Sequence, residues 1–196
     1  MGNAPPRPRP IAPGAPDYPR ALLSGPEPPI LYAIGNTKLL TQPLTALFCS
    51  NQCPGSAILR ALDVATRLRD ASRAVVSGFH TPVEKECLAV LLRGQSPIIV
   101  CPARSLDRYR IPAAWKAPLA RARLLLLSPF PPGTQRATAE TAERRNELVA
   151  TLATETTMLH AAPGGRLEKL AAKLERLGRQ PPCPPREPSV GLGSQP

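Results

Sequence analysis

Aromatic side chains are scarce in this chain of 196 residues, of which Phe, Trp and Tyr together make up 4%. An extended series of stacking platforms for single-stranded bases is therefore excluded, because each platform needs its own ring. A membrane-spanning run is also missing, since no stretch approaches the roughly 20 apolar residues that a helix needs to cross a bilayer. The N-terminus is rich in proline and arginine and has no apolar signal core. These absences predict a cytoplasmic protein without a membrane contact.

The cysteines do not form the paired set of a disulfide framework, because their number is odd, at five. Cys49, Cys87 and Cys101 fall inside apolar segments, which is typical of small core residues. Cys49 and Cys53 could be drawn as a metal site with one of the two histidines, but their spacing matches no standard zinc motif. We expect no metal and no cofactor, and we expect both histidines to be structural.

Positive charge is abundant by contrast: 25 Lys and Arg residues outnumber 14 Asp and Glu residues, for a net charge of +11. This balance favours polyanionic partners such as nucleic acid, nucleotides or anionic lipid. Most of the basic residues are arginines in a chain that is also rich in alanine and proline, so genomic composition is the alternative source of the charge. The totals leave both explanations open.

Proline concentrates at the two ends of the chain. Residues 1–24 and 180–196 lack apolar periodicity, and we predict that they are disordered, proline-rich tails. A single folded domain is predicted for residues 25–179, which is an ordinary domain length.

Strand-length apolar runs alternate with amphipathic helical patterns between residues 45 and 178. Strands are predicted at 30–34, 45–49, 74–77, 97–101, 124–127 and 155–160. Helices are predicted between the later strands, and Ser56 is the expected N-cap of the first helix. This alternation predicts an α/β fold with three layers, in which a mostly parallel sheet carries helices on both faces.

The stretch 73–92 shows the alternation most clearly. It reads as a buried strand at Ala74–Ser77, a tight turn at Gly78, and a helix opened by Pro82 and Glu84. The apolar face of that helix is predicted from residues near the helical period, namely Val83, Cys87, Leu88 and Leu91. In an open α/β sheet the turn after a strand is a site for anionic ligands, although a connection without a ligand has the same pattern.

In a parallel sheet the carboxyl ends of the strands meet at one edge and form a crevice. The loops predicted there are 50–55, 78–82, 102–105, 132–136 and 163–166, all rich in Gly, Pro and small polar residues. Their backbone N–H groups could approach a ligand, and Arg104, Arg136 and Arg166 could add planar donors suited to phosphate. The alternative is that these arginines are solvated loop residues.

Groups for catalysis are few. Glu84 and Glu86 are two residues apart at a helix start and do not share a face. The sequence has no nucleophile elbow, no phosphate-cradling P-loop and no Gly-x-Gly-x-x-Gly motif. We therefore predict no catalytic residue and favour a protein that is not an enzyme.

Four segments resemble the DNA-processing protein A (DprA/Smf) family. Residues 126–134, Leu-Leu-Ser-Pro-Phe-Pro-Pro-Gly-Thr, and the Arg-Arg-Asn that opens residues 144–152 are similar to two consecutive family motifs. Val-Ser-Gly-Phe-His-Thr-Pro-Val-Glu at 76–84 is similar to its Val-Ser-Gly-Leu-Ala-Arg-Gly-Ile-Asp turn. Phe-Cys-Ser-Asn at 48–51 falls where the family has Val-Gly-Ser-Arg. The order and spacing agree over about residues 28–175.

The resemblance implies a Rossmann-like fold that binds single-stranded DNA, with a recombinase as the partner protein in the best-known members. A homodimer also stays open. The chain departs from the family at its two phosphate-facing arginines, which are Asn51 and Thr81 here, and the family Asp is the homologous Glu84. The phosphate or nucleic-acid site is accordingly predicted at Ser50, Asn51, Ser77, Gly78, Arg104, Gly133, Arg145, Asn146, Gly164 and Gly165.

A second function belongs to the same superfamily. Pro-Gly-Gly-Arg-Leu-Glu at 163–168 is similar to the start of the Pro-Gly-Gly-x-Gly-Thr-x-x-Glu motif of lysine-decarboxylase-like phosphoribohydrolases, without the internal Gly-Thr. A nucleotide-binding sensor, or a phosphoribohydrolase with Glu84 or Glu168 as its acid, is therefore the alternative.

Arg145 is the one basic family position that remains. The resemblance implies that it faces the crevice, whereas Arg144 points about 100° away on a helix. The alternative is that Arg145 pairs with Glu143 or Glu147 on the surface.

Overall fold

The computed structural model describes residues 7–25 and 27–179. Strands and helices alternate along most of this length. The strands are β1 (Arg9–Ile11), β2 (Leu31–Gly35), β3 (Leu44–Cys49), β4 (Ala74–Ser77), β5 (Ile98–Val100), β6 (Leu124–Ser128) and β7 (Glu155–His160). The helices are α1 (Gly55–Asp70), α2 (Pro82–Leu92), α3 (Ala113–Ala120), α4 (Ala139–Leu152) and α5 (Arg166–Arg176), with short 3₁₀ helices at Arg20–Leu22 and Thr37–Thr41.

The strands form one mixed sheet in the order β1-β2-β6-β5-β4-β3-β7. β3 to β7 run parallel to one another, while β2 pairs antiparallel with β6, and β1 antiparallel with β2. One face packs against α4 and α5 through residues such as Leu148 and Leu170, and the other packs against α1 and α2 through Ala61 and Leu88. The predicted α/β fold, a mostly parallel sheet with helices on both faces, is confirmed.

The central strands are buried on both sides, as continuous apolar runs require in a covered parallel sheet. Every residue of β4, β5 and β6 is buried. Because such strands have no exposed face, their sequences show no alternation, and short runs such as Ile98–Val100 are recognisable from composition alone. None of the described helices is long and apolar enough to cross a bilayer.

The prediction of a disordered tail over residues 1–24 is wrong from residue 9 onward. β1 pairs with β2, the Ile11 side chain is 1% exposed, and Arg9 forms an ion pair with Asp17. The Tyr18 hydroxyl donates to the carbonyl of Pro29 at 2.9 Å. A three-residue edge strand tolerates proline and needs no apolar periodicity, so its sequence resembles that of a tail. Residues 1–6 and 180–196 lie outside the described residues.

The predicted start of α2 is confirmed, whereas the predicted N-cap of α1 is wrong. α2 begins at Pro82, and its predicted apolar face is buried, as expected. α1 begins at Gly55 with Pro54 as its N-cap and no side-chain cap. Ser56 is therefore already inside the helix, because the chain turns helical immediately after the proline.

Three buried thiols make the free energy of unfolding depend on alkaline pH. Burial raises the pKa of Cys87 and of Cys101 to about 12, and it also raises the pKa of Cys49. A free thiol ionises near pH 8.5, so unfolding releases protons above that pH. The stabilisation is intact below about pH 8.5 and is lost as the pH rises toward 12.

We therefore expect urea unfolding of the wild type to show falling stability from about pH 8.5 upward. Cys101→Ala should be less stable at pH 7 but should lose less stability with rising pH. Val100→Ala, which shortens a buried side chain that has no titratable group, serves as the control and should follow the wild-type slope. Parallel curves for Cys101→Ala and the wild type would contradict this account.

Candidate ligand crevice

The carboxyl ends of β3, β4 and β7 open into a cavity of about 850 Å³, called the crevice below. α4 and the start of α5 close its other sides. Its volume lies within the usual range of ligand sites. Six of the predicted site residues line it: Ser50, Asn51, Arg145, Asn146, Gly164 and Gly165.

A second cavity of about 650 Å³, the aromatic cavity, lies beyond the carboxyl ends of β4 and β5. Phe79, Tyr109 and Trp115 line it, and the rings of Tyr109 and Trp115 stack with centroids 6.3 Å apart at 20°. The Arg104 guanidinium lies 4.7 Å from the centre of the Tyr109 ring. The crevice and the aromatic cavity share His80, Ala103, Ala137 and Arg145, so they adjoin one another and are together called the trench below.

Arg145 lies on the wall between the two cavities. Its side chain is 6% exposed, and Nη1 donates to the carbonyl oxygen of Cys101 at 3.4 Å. Its Nε is buried and has no hydrogen-bond partner among the described residues. Burial lowers the pKa of Arg145, and the charge of Glu84 opposes that shift. A buried donor without an acceptor is unusual, so the groups of the chain do not fully compensate this guanidinium.

The surface alternative for Arg145 is wrong. Glu147 pairs with Lys173 at 2.5 Å, and among the described residues no ion pair joins Arg145 to Glu143 or Glu147. Arg144, by contrast, is exposed, and its guanidinium lies 5.5 Å from the centre of the Phe130 ring. The two neighbouring arginines therefore face different surroundings, as the helical period predicts.

Position 78 requires glycine because of Arg145 and not because of the turn. A Cβ at this position would lie 1.3 Å from Nη1 of Arg145, and its φ is not positive. The left-handed residue of the turn is Phe79, with φ +46°, whose N–H donates to Ser77 Oγ at 3.3 Å. The prediction that Gly78 supplies the special backbone angles is thus wrong, because the turn is displaced by one residue.

The Glu84 carboxylate occupies the amides of the β4–α2 loop. Its Oε2 accepts from the N–H groups of His80 at 2.8 Å and Thr81 at 3.3 Å, and its Oε1 accepts from Cys49 at 3.1 Å. Thr81 completes a capping box with it. The Thr81-x-x-Glu84 spacing is the sequence signal for this motif. The expected free amides of this loop are therefore already bonded within the chain.

A carboxylate also occupies the glycine turn before α5. Glu168 Oε2 accepts from Gly164 N–H at 2.7 Å, and Gly165 N–H donates to Ala162. The next two amides, those of Arg166 and Leu167, have no acceptor among the described residues. Both residues line the crevice, and so does Lys169, whose ammonium has no ion pair there. An anion at this helix start would meet free N–H donors and the positive end of the helix dipole.

The other predicted site residues are distributed unevenly. Ser77 is fully buried, donates to the Leu47 carbonyl at 2.7 Å, and lies beneath the trench. Ser50 Oγ accepts from Ala162 N–H at 2.9 Å. Gly133 is exposed in the β6–α4 loop and lines neither cavity. Gly78 and Arg104 line the aromatic cavity, which sequence reasoning missed because nothing in the spacing of Tyr109 and Trp115 indicates that they meet.

No group of three or more His, Cys, Asp or Glu side chains in residues 7–25 and 27–179 is placed to hold a metal ion.

The fold is similar to two solved structures. DNA processing protein A from Helicobacter pylori, solved in a study of how it binds single-stranded DNA, matches with a TM-score of 0.68 and 22% identity, over 83% of this chain and 75% of that one. DNA processing protein A from Streptococcus pneumoniae matches with a TM-score of 0.72 and 21% identity, over 87% of this chain and 60% of that one. A comparison with curated proteins finds no match.

The family of the chain is shown by a family model, because the two structures are too distant in sequence to assign it. The model of DNA recombination-mediator protein A matches residues 9–175. The match begins at β1 and runs almost to the end of α5, so it covers all seven strands. The chain therefore belongs to the DNA recombination-mediator protein A family.

Proposed function

We propose that this protein binds single-stranded DNA without catalysing a reaction, with backbone phosphate in the crevice and one base in the aromatic cavity. The observation that carries the proposal is Arg145, a buried guanidinium between the two cavities whose Nε has no partner among the described residues. A phosphate at this wall would accept from the part of the guanidinium that lines the cavities and offset the cost of burying the charge.

Phosphate binding is supported by the donors at the far side of the crevice. The free amides of Arg166 and Leu167 begin α5, and the Arg166 and Lys169 side chains add positive charge beside them. Asn51 and Asn146 line the same cavity and can donate through their amide groups. These groups take over the role that the resemblance gives to arginines at positions 51 and 81.

Base binding is supported by the aromatic cavity. Trp115 and Tyr109 are half-buried, so their rings are held in place but remain accessible from the cavity. A base can stack on such a ring regardless of its identity, because every base has a π face. Since these two rings form one stack, we expect one base site and little base selectivity.

Family membership supports DNA as the ligand, since the structure of the Helicobacter pylori relative concerns its binding of single-stranded DNA. The resemblance extends the proposal to a recombinase as the protein partner.

A nucleotide-binding sensor is the second candidate, because one phosphate site beside one base site also suits a mononucleotide. The hydrolase variant of this candidate has less support, since both oxygens of Glu84 accept backbone N–H groups and Glu168 accepts one from Gly164. A nucleoside monophosphate that raises the melting temperature more than an equal concentration of oligothymidylate would favour the sensor.

Replacement of Arg145 tests the phosphate site. Arg145→Ala should weaken binding of an oligothymidylate by about 1.5–3 kcal/mol, the scale of a hydrogen bond to a charged group. Arg144→Ala is the matched control on the same helix and should cost much less, because Arg144 is exposed beside Phe130. Fluorescence anisotropy over a salt series measures both, and affinity should fall steeply with salt. Equal small losses of affinity in the two variants, or an affinity that does not change with salt, would contradict the proposal.

A methyl group at position 78 tests the same arginine without removing it. Gly78→Ala should displace the Arg145 guanidinium, because the new Cβ would occupy its place. We expect the loss of DNA affinity to approach that of Arg145→Ala. Gly55→Ala is the control, since a Cβ there meets nothing within 4 Å. Wild-type affinity in a folded Gly78→Ala protein would show that the position of Arg145 does not matter.

Replacement of Trp115 tests the base site. Trp115→Ala should weaken oligothymidylate binding by about 1–3 kcal/mol, the usual cost of losing one stacked base. Trp115→Phe should restore most of the affinity, because a smaller ring still stacks. An abasic oligonucleotide should bind the wild type and Trp115→Ala about equally. If Trp115→Ala weakens both ligands by the same factor, the ring supports the fold and not a base.

A further inference from the structure

Helix α5 carries cations along one side. Arg166, Lys169, Lys173 and Arg176 follow at intervals of three, four and three residues, which brings them to the same side of an α-helix. All four are exposed, and they span roughly 15 Å at 1.5 Å per residue. The buried leucines of α5 lie on the adjacent side, so the cations border the seam between α5 and the rest of the domain.

This side of α5 forms a groove with α4, called the α4–α5 groove below. It encloses about 230 Å³ and is lined by all four cations. Asn146, Arg166 and Lys169 line both this groove and the crevice. The α4–α5 groove therefore adjoins the crevice on the surface of the domain.

The charges in the α4–α5 groove are only partly neutralised. Lys173 is paired with Glu147 at 2.5 Å, and Glu143 is the other acidic residue of the lining. Within residues 7–25 and 27–179, Lys169 has no ion pair and Arg176 bonds through Nε to the carbonyl of Ala172 in its own helix. Four cations thus face two carboxylates, which leaves positive charge along a path that begins at the ligand site.

We propose that a single strand of DNA bound in the crevice leaves it through the α4–α5 groove, with backbone phosphates on Lys173 and Arg176. This inference rests on the proposed function. Glu147 competes with the phosphate for Lys173 and so weakens the binding of strands long enough to reach it. An acidic protein segment fits less well, since Leu170 is the only large apolar residue of the lining and is itself buried, so the groove offers no apolar anchor.

The test compares oligothymidylates of about 4 and about 12 nucleotides by fluorescence anisotropy, because sites for single strands span this range. Lys173→Gln/Arg176→Gln should weaken the longer strand about 10-fold at about 50 mM salt and reduce its salt slope by about 1.4, since each lost contact removes about 0.7. The shorter strand should bind as it does to the wild type. The control Lys38→Gln/Arg67→Gln removes the same charge from exposed positions that line none of the three cavities.

Removal of the Glu147 carboxylate, which competes for Lys173, should change the affinity for the longer strand in the opposite direction. Glu147→Gln should raise the affinity for the longer strand several-fold and leave the shorter strand unchanged, because it frees Lys173. Glu175→Gln is the matched control, an exposed glutamate on another side of α5. An equal gain from both variants would mean that only overall charge matters and would overturn the inference.

The outcomes separate this inference from the function beneath it. If the wild type binds neither oligonucleotide, the proposed function fails. If the wild type binds both but the α5 double variant matches its control, or weakens both lengths equally, the path along the α4–α5 groove is wrong and the crevice site stands. Displacement of the longer strand by polyglutamate of equal charge, as effectively as by DNA, would also overturn the path, because the groove would then accept any polyanion.

Discussion

The buried charge of Arg145 is the constraint on which the trench depends. Arg145 is 6% exposed, and a buried guanidinium costs free energy unless nearby groups compensate its charge. Glu84 supplies the opposing charge and is itself fixed by three backbone N–H groups from the ends of β3 and β4. Gly78 provides the space, because any side chain there would overlap Nη1. One glycine, one arginine and one carboxylate therefore fix β4, α4 and α2 relative to each other.

The same arrangement determines where a ligand charge can go. In an open α/β sheet the glycine turn after a strand normally offers its amides to a phosphate. Here Glu84 and Glu168 accept those amides, so each turn already holds an anion of the chain itself. The donors left for a ligand include the Arg145 guanidinium and the first amides of α5. Loss of arginine at Asn51 and Thr81 is consistent with this shift, because a phosphate near α5 lies closer to Arg166 and Lys169.

Most of the fold could be predicted from sequence because its signals are local. Buried strands such as Ile98–Val100 and Leu124–Ser128 are runs of mainly apolar residues, and Pro82 suits the first turn of the helix that begins there. The failures are at positions where distant residues decide. β1 is a strand only because β2 lies beside it, and the identity of Gly78 is explained by a side chain 67 positions away. A propensity argument assigned that glycine to the turn, although Phe79 adopts the left-handed angles.

The site was predicted less well than the fold, and for the same reason. Asn51, Arg145 and Asn146 do line the crevice. The sequence could not show that the Ser77 hydroxyl lies beneath it and donates to the Leu47 carbonyl. The low aromatic content of the chain was also misleading, because the number of rings does not show that Tyr109 and Trp115 stack at one wall of the trench. A single stack can hold a base but cannot make binding grow with strand length. Any length dependence must therefore come from the backbone, which requires cations outside the crevice, and α5 carries them in a line that starts there.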